Sequence, residues 1–227
     1  MAYTSKYAVI VAGGKGVRMG GALPKQFMPL LGKPVLYYSV NAFISAFADI
    51  KLVLVLPKDQ LSYAQMVLKE FPDGIDIMIV SGGETRFHSV QNGLKAIEED
   101  SIVFVHDGAR PLVSSGLIRQ CFDQALELGS AIPAVHVSES MRLIEDDDSR
   151  PVDREFMRII QTPQVFRSDI LLPAFGQEYI PSFTDEATVV EAFGIRIFLI
   201  EGEKSNIKIT TPDDMVIAEA LLANMKI

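Results

Sequence analysis

The residues best suited to chemistry sit where short apolar runs stop. Ala8 to Val11 leads directly into Ala12-Gly13-Gly14-Lys15-Gly16-Val17-Arg18-Met19-Gly20, a position beyond the carboxyl end of a strand, where ligands of open α/β sheets bind. Glycines let backbone N–H groups approach a phosphate chain closely, and Lys15, Arg18 and the more distant Lys25 supply positive charge. These features suit a triphosphate. Spacing excludes two better-known phosphate loops: G-x-G-x-x-G fails at Met19, and G-x-x-x-x-G-K-[ST] finds no register.

Two further loops belong to the same edge. Ser81-Gly82-Gly83-Glu84-Thr85-Arg86 lies between a strand and a helix, so its amides sit at a helix N-terminus where a base or ribose can be held. Val105-His106-Asp107-Gly108-Ala109-Arg110-Pro111 ends another strand, placing a carboxylate where it meets Mg²⁺ and an arginine where it meets phosphate. A nucleotide fills most positions around Mg²⁺, so one protein carboxylate suffices. Set against this are blander readings. A Gly-rich turn is otherwise a tight connection, a strand-terminal Asp often caps a helix, and Thr184-Asp185-Glu186-Ala187 reads as a helix start with capping acids. Asn206-Ile207-Lys208-Ile209-Thr210 reads as a short strand whose lysine faces solvent. His88, His106 and His136 read as structural, hydrogen-bonded histidines with no catalytic role. Neither a Cys/His cluster of zinc spacing nor a G-x-S-x-G elbow occurs.

The elements that must position these residues alternate. Ala8 to Val11, Leu52 to Leu56, Ile77 to Val80 and Ile102 to Val105 are apolar runs rich in Val and Ile. Leu36 to Phe47, Asp59 to Glu70, Thr85 to Glu98 and Ser114 to Leu128 between them carry helical periodicity. The expected fold is α/β: a Rossmann-like open, mostly parallel sheet sandwiched by helices. Ala131 to Val137 and Ile195 to Ile200 add strands, and Asp213 to Asn224 closes with a helix after Pro212. From His136 to Gln161 the alternation breaks, and the pattern is an extended arm with a polar turn at Glu145 to Ser149. The arm exposes Met141, Leu143, Phe156 and Met157 unless a second subunit's arm covers them, so a homodimer is expected; the alternative is a hairpin folded onto its own sheet.

A chain of 227 residues fits a single domain, 1–227, with the arm 136–161 inside it. The net charge of -8 argues against a general nucleic-acid binder. Its distribution is uneven: no acidic residue precedes Asp49, whereas Lys6, Lys15, Arg18, Lys25 and Lys33 all do, the pattern of a local anion site. No apolar run approaches the roughly 20 residues of a membrane span, and the N-terminus lacks the order of a secretory signal, so a cytoplasmic protein without membrane partners is expected. Cys121 is alone and falls within helical periodicity, which reads as a buried thiol.

In order along the chain, these segments resemble the 2-C-methyl-D-erythritol 4-phosphate cytidylyltransferase family. The resemblance rests on Ala12 to Met19, Pro24-Lys25-Gln26, Ser81-Gly82-Gly83, Ser89-Val90, Val105-His106-Asp107, Ala109-Arg110-Pro111, Gln161-Thr162-Pro163-Gln164, Thr184 to Ala187 and Asn206-Ile207-Lys208, nearly the whole chain. It implies transfer of CMP from CTP to a sugar-alcohol phosphate with release of pyrophosphate. Arg18 and Lys25 would then stabilise the α-phosphate during attack, and Arg154 and Lys208 would position the acceptor. Ala12, Gly13, Gly14, Gly82, Gly83, Glu84 and Ser89 would hold the nucleotide, and Asp107 would bind Mg²⁺ or another divalent cation. Arg110, Ser140, Thr162 and Thr184 would line the acceptor pocket, with Glu84 and Ser140 standing where Asp and Thr are expected. An acceptor phosphate needs no strong general base, so an arrangement of cations without a histidine is consistent with in-line attack. Ribitol 5-phosphate cytidylyltransferase is similar at the first loop and at Thr-Pro-Gln, and a silent nucleotide-binding module is the alternative of another class.

Overall fold

Strand β1 (Ser5–Val11) shows why the first apolar run has no polar alternation. Tyr7, Val9 and Val11 enter one core and Ala8 and Ile10 enter another. A strand buried on both faces must be apolar throughout, and this is the condition of a sheet covered by helices on each side. The computed structural model describes residues 3, 5–13, 23–72, 75–98, 100–146 and 148–224.

After β1 come a two-stranded turn, β2 (Pro29–Leu30) and β3 (Lys33–Pro34), then α1 (Val35–Ala46), β4 (Lys51–Leu56), α2 (Ala64–Leu68), β5 (Ile77–Ser81), α3 (Arg86–Leu94), β6 (Ser101–Asp107) and α4 (Ser115–Leu128). The second half contains β7 (Ser130–His136), β8 (Met141–Glu145), β9 (Asp148–Val152), β10 (Arg158–Ile160) and β11 (Gln164–Arg167). It ends with α5 (Ser168–Ala174), α6 (Glu186–Ala192), β12 (Leu199–Glu201) and α7 (Pro212–Asn224). The main sheet runs β10-β7-β11-β6-β1-β4-β5, with β12 on β7. The pairs β1/β4, β1/β6, β4/β5 and β7/β12 are parallel. Those of β11 with β6 and β7, and of β10 with β7, are antiparallel.

Parity along β6 decides the site. Ile102 and Phe104 face one core, Val103 and Val105 the other, so His106 and Asp107 point to opposite faces. The His106 ring lies 5.2 Å from that of Phe43 on α1, while Asp107 faces α3 and α6. Helix α3 comes close because Gly93 gives it room: a Cβ there would sit 2.6 Å from a methyl of Val9. Local caps set the helix starts. Thr85, Ser114 and Asp185 each accept a backbone N–H of the first turn, and Asp185 forms a full capping box with Thr188.

Several elements differ from the sequence expectation. Asp59 to Glu70 is a 3₁₀ segment, Lys58–Tyr63, before a short α2. Asn206 to Thr210 forms no strand; the Ile209 N–H donates to the Ala109 carbonyl at 2.8 Å, which ties the segment to the loop after β6. Of Ile195 to Ile200, only the last two residues pair. The pattern missed β11, four residues placed between β6 and β7, and α5 after it.

The arm forms its own two-stranded sheet, with Met141 opposite Val152 and Glu145 opposite Asp148. It is inserted between β7 and β10, which pair at its base. Every residue of β8 is exposed, and Ile144 and Phe156 stand at 67% and 85% exposure, an apolar surface that one chain leaves in water.

Candidate active site

The carboxyl ends of β1 and β6 and the start of α3 enclose a cleft of about 310 Å³. Ala12, Gly13, Lys25, Gly83, Glu84, Ser89, Asp107 and Lys208, all expected from the sequence, line it, and Arg86 and Gln26 join them. Gly14 and Arg18, like Lys15, fall outside the described residues. The other early lysines serve elsewhere: Lys6 pairs with Asp49 at 2.8 Å and Lys33 with Glu70 at 3.7 Å. The cationic run therefore does not act as one site among its described members.

Backbone geometry explains the second glycine loop and the described start of the first. The Gly82 N–H donates to the Leu56 carbonyl at 2.8 Å, continuing the β4 direction, and the Gly83 N–H donates to Ser89 Oγ at 3.1 Å. A Cβ on Gly83 would overlap that of His88, so any side chain there would push the loop off the start of α3. Ser89 thus acts first as a brace for the loop. Gln26 braces the first loop in the same way, since its side-chain amide donates to the Ala12 carbonyl at 2.8 Å and to Gln60 at 2.6 Å.

Asp107 is the electrostatic centre. Its carboxylate meets Lys208 Nζ at 2.8 Å, Arg86 Nε at 3.2 Å and Arg110 Nε at 3.7 Å. Burial pushes the carboxyl up, but the charges of Arg86, Lys208 and Arg110 outweigh it and hold Asp107 well below the usual carboxylate range. Its side chain is thus spent on cations and not on a helix cap. Lys208, expected to be solvated, is ion-paired, and Lys25 Nζ donates to the Ile209 carbonyl at 2.6 Å. The segment from Asn206 to Thr210 therefore brings one cation to Asp107 and a carbonyl to the other.

Behind Asp107 the packing is polar and nearly complete. Its N–H donates to Thr162 Oγ1 at 3.0 Å, and that oxygen lies 3.1 Å from His106 Nδ1. His106 Nε2 faces the Arg110 carbonyl at 3.1 Å, so the consistent tautomer carries its proton on Nε2 and accepts the Thr162 hydroxyl on Nδ1. Burial pushes this imidazole down to about 4. Thr162 is thus a buried support and not a wall of the described cleft. Arg110 is also buried; its Nη1 donates to the Asn206 carbonyl at 2.8 Å. Thr184 is exposed beside the start of α6. Ser140 and Arg154 are exposed on the arm, where Arg154 Nη1 donates to the Ser138 carbonyl at 2.5 Å, and neither lines the cleft.

Sequence reasoning missed Arg86, Glu186 and Gln164. Capping explains Asp185 but not Glu186, which is fully buried with both oxygens on Arg86. Gln164 holds the same helix start, donating to Asp185 at 2.9 Å and accepting from the Ala187 N–H at 2.8 Å. Arg86 closed the Ser-Gly-Gly motif and was visible there; an acid after a cap gave no sign of its partner. Cys121 is buried as expected, and burial raises its thiol to about 12.

Proteins of known family resemble this chain over almost all of its length. The sequence profile of the 2-C-methyl-D-erythritol 4-phosphate cytidylyltransferase family matches residues 7–224. A relative of that name from Bacteroides thetaiotaomicron is 47% identical over 94% of this chain and 98% of its own length. Another from Porphyromonas gingivalis is 44% identical over 96% and 98%. Among solved structures, 4-diphosphocytidyl-2C-methyl-D-erythritol synthase from Anaerococcus prevotii superposes with a TM-score of 0.82 at 29% identity, covering 96% of each chain. The Francisella tularensis cytidylyltransferase gives 0.81 at 33%, covering 96% of this chain and 99% of that one.

Proposed function

The chain belongs to the 2-C-methyl-D-erythritol 4-phosphate cytidylyltransferase family, and from that premise we propose how its residues carry the transfer. It moves CMP from CTP to 2-C-methyl-D-erythritol 4-phosphate, giving 4-diphosphocytidyl-2-C-methyl-D-erythritol and pyrophosphate. The observation that carries the division of labour is the meeting of Lys25, Asp107 and Lys208 in one cleft beside the glycine loops.

In this reading the amides from Ala12 to Gly14 and from Gly82 to Glu84 receive the nucleotide. Lys25 leaves the Ile209 carbonyl for the phosphates and, with Arg18, meets the charge that builds as the acceptor oxygen attacks the α-phosphorus in line with the leaving pyrophosphate. Lys208, which shares Asp107 with Arg110, takes the acceptor phosphate. No base is required, since that phosphate is already anionic. His106, buried with both ring nitrogens engaged, has no free atom for proton transfer.

Mg²⁺, or another divalent cation, is part of the proposal. The donor set fits an ion that arrives on the nucleotide: among the described residues no group of three or more metal-ligating side chains stands together, and Asp107 offers one carboxylate. Lys208 must yield its place on Asp107 for such an ion, which would neutralise phosphate charge. The homodimer is likewise proposed, supported by the apolar face around Ile144 and Phe156; the partner's arm would bring Arg154 and Ser140 to the cleft. A cytoplasmic location is also part of the proposal, consistent with the use of CTP as substrate. No described helix is long and apolar enough to cross a membrane. The deciding experiment gives the enzyme CTP and Mg²⁺ with methylerythritol phosphate or ribitol phosphate and measures pyrophosphate, with and without excess EDTA. Release with the first acceptor alone, abolished by EDTA, is expected; full activity in EDTA rejects the metal.

A further inference from the structure

One buried carboxylate lies behind the cleft without a part in the transfer just described. Glu186 opens α6 and is fully buried. Its oxygens take Arg86 Nη1 at 2.5 Å and Nη2 at 3.1 Å, and the third edge of the same guanidinium, Nε, donates to Asp107 at 3.2 Å. With two corners of a planar fork fixed, the direction of the remaining N–H is fixed as well. Burial pushes the Glu186 carboxyl up, and the Arg86 guanidinium is the charge that opposes it.

We propose that Glu186 is a positioning residue for cytidylyl transfer, holding Arg86 so that it aims Asp107 and does not itself reach for the nucleotide. Two observations support this. Arg86 lines the cleft, so once released it becomes a mobile cation within reach of a triphosphate. Such a cation binds the ground state as well as the transition state, which tightens substrate without speeding the reaction. Second, in the ion-paired network centred on Asp107 two carboxylates, Asp107 and Glu186, face three cations, Arg86, Arg110 and Lys208. Removing Glu186 leaves Asp107 to balance all three. The strut also joins two sides of the site, because Glu186 follows Thr184 and Asp185 while Arg86 follows the Gly82 to Thr85 loop.

The inference rests on the transfer reaction above, so wild-type pyrophosphate release from CTP and methylerythritol phosphate is the control. An inactive wild type rejects that reaction; an active wild type leaves Glu186 to be judged alone. Glu186→Gln keeps the shape and removes the charge. Its kcat should fall about 10- to 100-fold, the range for residues that orient a ligating group, with the KM for CTP unchanged or lower. If Glu186 acts only through Arg86, the double variant Arg86→Gln/Glu186→Gln should be no slower than Arg86→Gln alone. A merely structural role would lower the melting temperature and leave kcat of the folded enzyme within about threefold, and that result overturns the proposal, as does a double variant showing the product of the two single losses. Should Glu186→Gln fail to fold, Glu186→Asp decides, since it keeps the charge and shortens the reach. A kcat loss of about threefold or more at unchanged KM supports the inference, and a smaller loss rejects it.

Discussion

The cleft and the arm are built from similar residues and are held by opposite means. In both, an arginine grips a carboxylate: Arg86 on Glu186, and Arg150 on Glu145 at 3.2 Å. The first pair is walled in by α3, α6 and the sheet, with the acid at 0% exposure; in the second both side chains are about 60% exposed. The cleft is cross-braced by ion pairs that join α3, α6, β6 and the segment carrying Lys208 within a single chain. A two-stranded hairpin is marginal alone in water, and among the described residues the arm makes no sheet pairing beyond its own. The chain thus holds its cleft as braced structure and its arm as an apolar surface that one chain leaves exposed.

The largest effect expected lies in the cleft. Lys25→Ala should lower kcat by about 100-fold or more while the KM for CTP moves much less, because the developing charge is its main target. Steady-state pyrophosphate release separates the two constants. If KM rises by the same factor at constant kcat, Lys25 is a ground-state binding residue, and the cleft is finished for binding alone.

Next comes the arm. Lys25→Ala and Arg154→Ala enzymes should each be nearly inactive, and refolding them together should restore activity if Arg154 works in the neighbouring subunit. Random pairing makes about half the dimers mixed, each with one intact site, so activity should recover to about a quarter of wild type. Differently tagged chains, purified in tandem, verify the mixed dimers. No recovery in verified mixtures would place Arg154 in its own subunit and remove the contrast between cleft and arm.

A smaller effect concerns pH. His106 is held down to about 4 by burial, below its unfolded value of about 6.5. Between those values the unfolded chain binds a proton that the native chain does not. The stability from His106 is therefore complete above pH 6.5 and is lost as pH falls toward 4, by about 3 kcal/mol in all. Asp107 works in the same direction at lower pH, since its depressed carboxyl contributes above about pH 4 and is lost only below that. Thermal melts from pH 7 to 4.5 should fall for wild type and fall less steeply for His106→Gln. An equal slope in the variant would mean that other groups carry the acid sensitivity.

What could be read beforehand follows from what sequence patterns can record. The β1 and β6 runs and their loops were readable because burial on both faces demands uninterrupted apolar residues and phosphate contact demands glycine. Residues 206–210 differ from the strand expected because a short alternating pattern does not record whether its backbone finds a neighbouring strand, and here Ile209 bonds to the loop at Ala109. β11 escaped because four residues, Gln164 to Arg167, are too short to show a period. Glu186 was hidden by its own neighbour: Asp185 satisfies the capping signature, and an acid one position later fits the helix dipole equally well. The partner that gives it meaning, Arg86, is 100 residues away.

The smallest effect returns to the exposed pair. Glu145→Gln removes the charge that Arg150 grips on the arm, in a position where solvent already screens both groups. Exposed pairs contribute about 0.2 to 1 kcal/mol, and this one sits on a hairpin that pairs only with itself. Its loss should therefore shift the melting temperature by less than about 4 °C, whereas Glu186→Gln should shift it further, since it takes a fully buried charge from a half-buried guanidinium and leaves Asp107 as its remaining partner. The two melts, measured side by side at low and high salt, isolate burial as the variable, because the chemical change is identical. If Glu145→Gln proved as damaging as Glu186→Gln, the arm would be part of the cooperative unit that unfolds with the sheet. Its stability would then have to come from a covering surface, and, if that surface is a second copy of the chain, dilution below the dissociation constant should weaken the Glu145→Gln effect and leave that of Glu186→Gln.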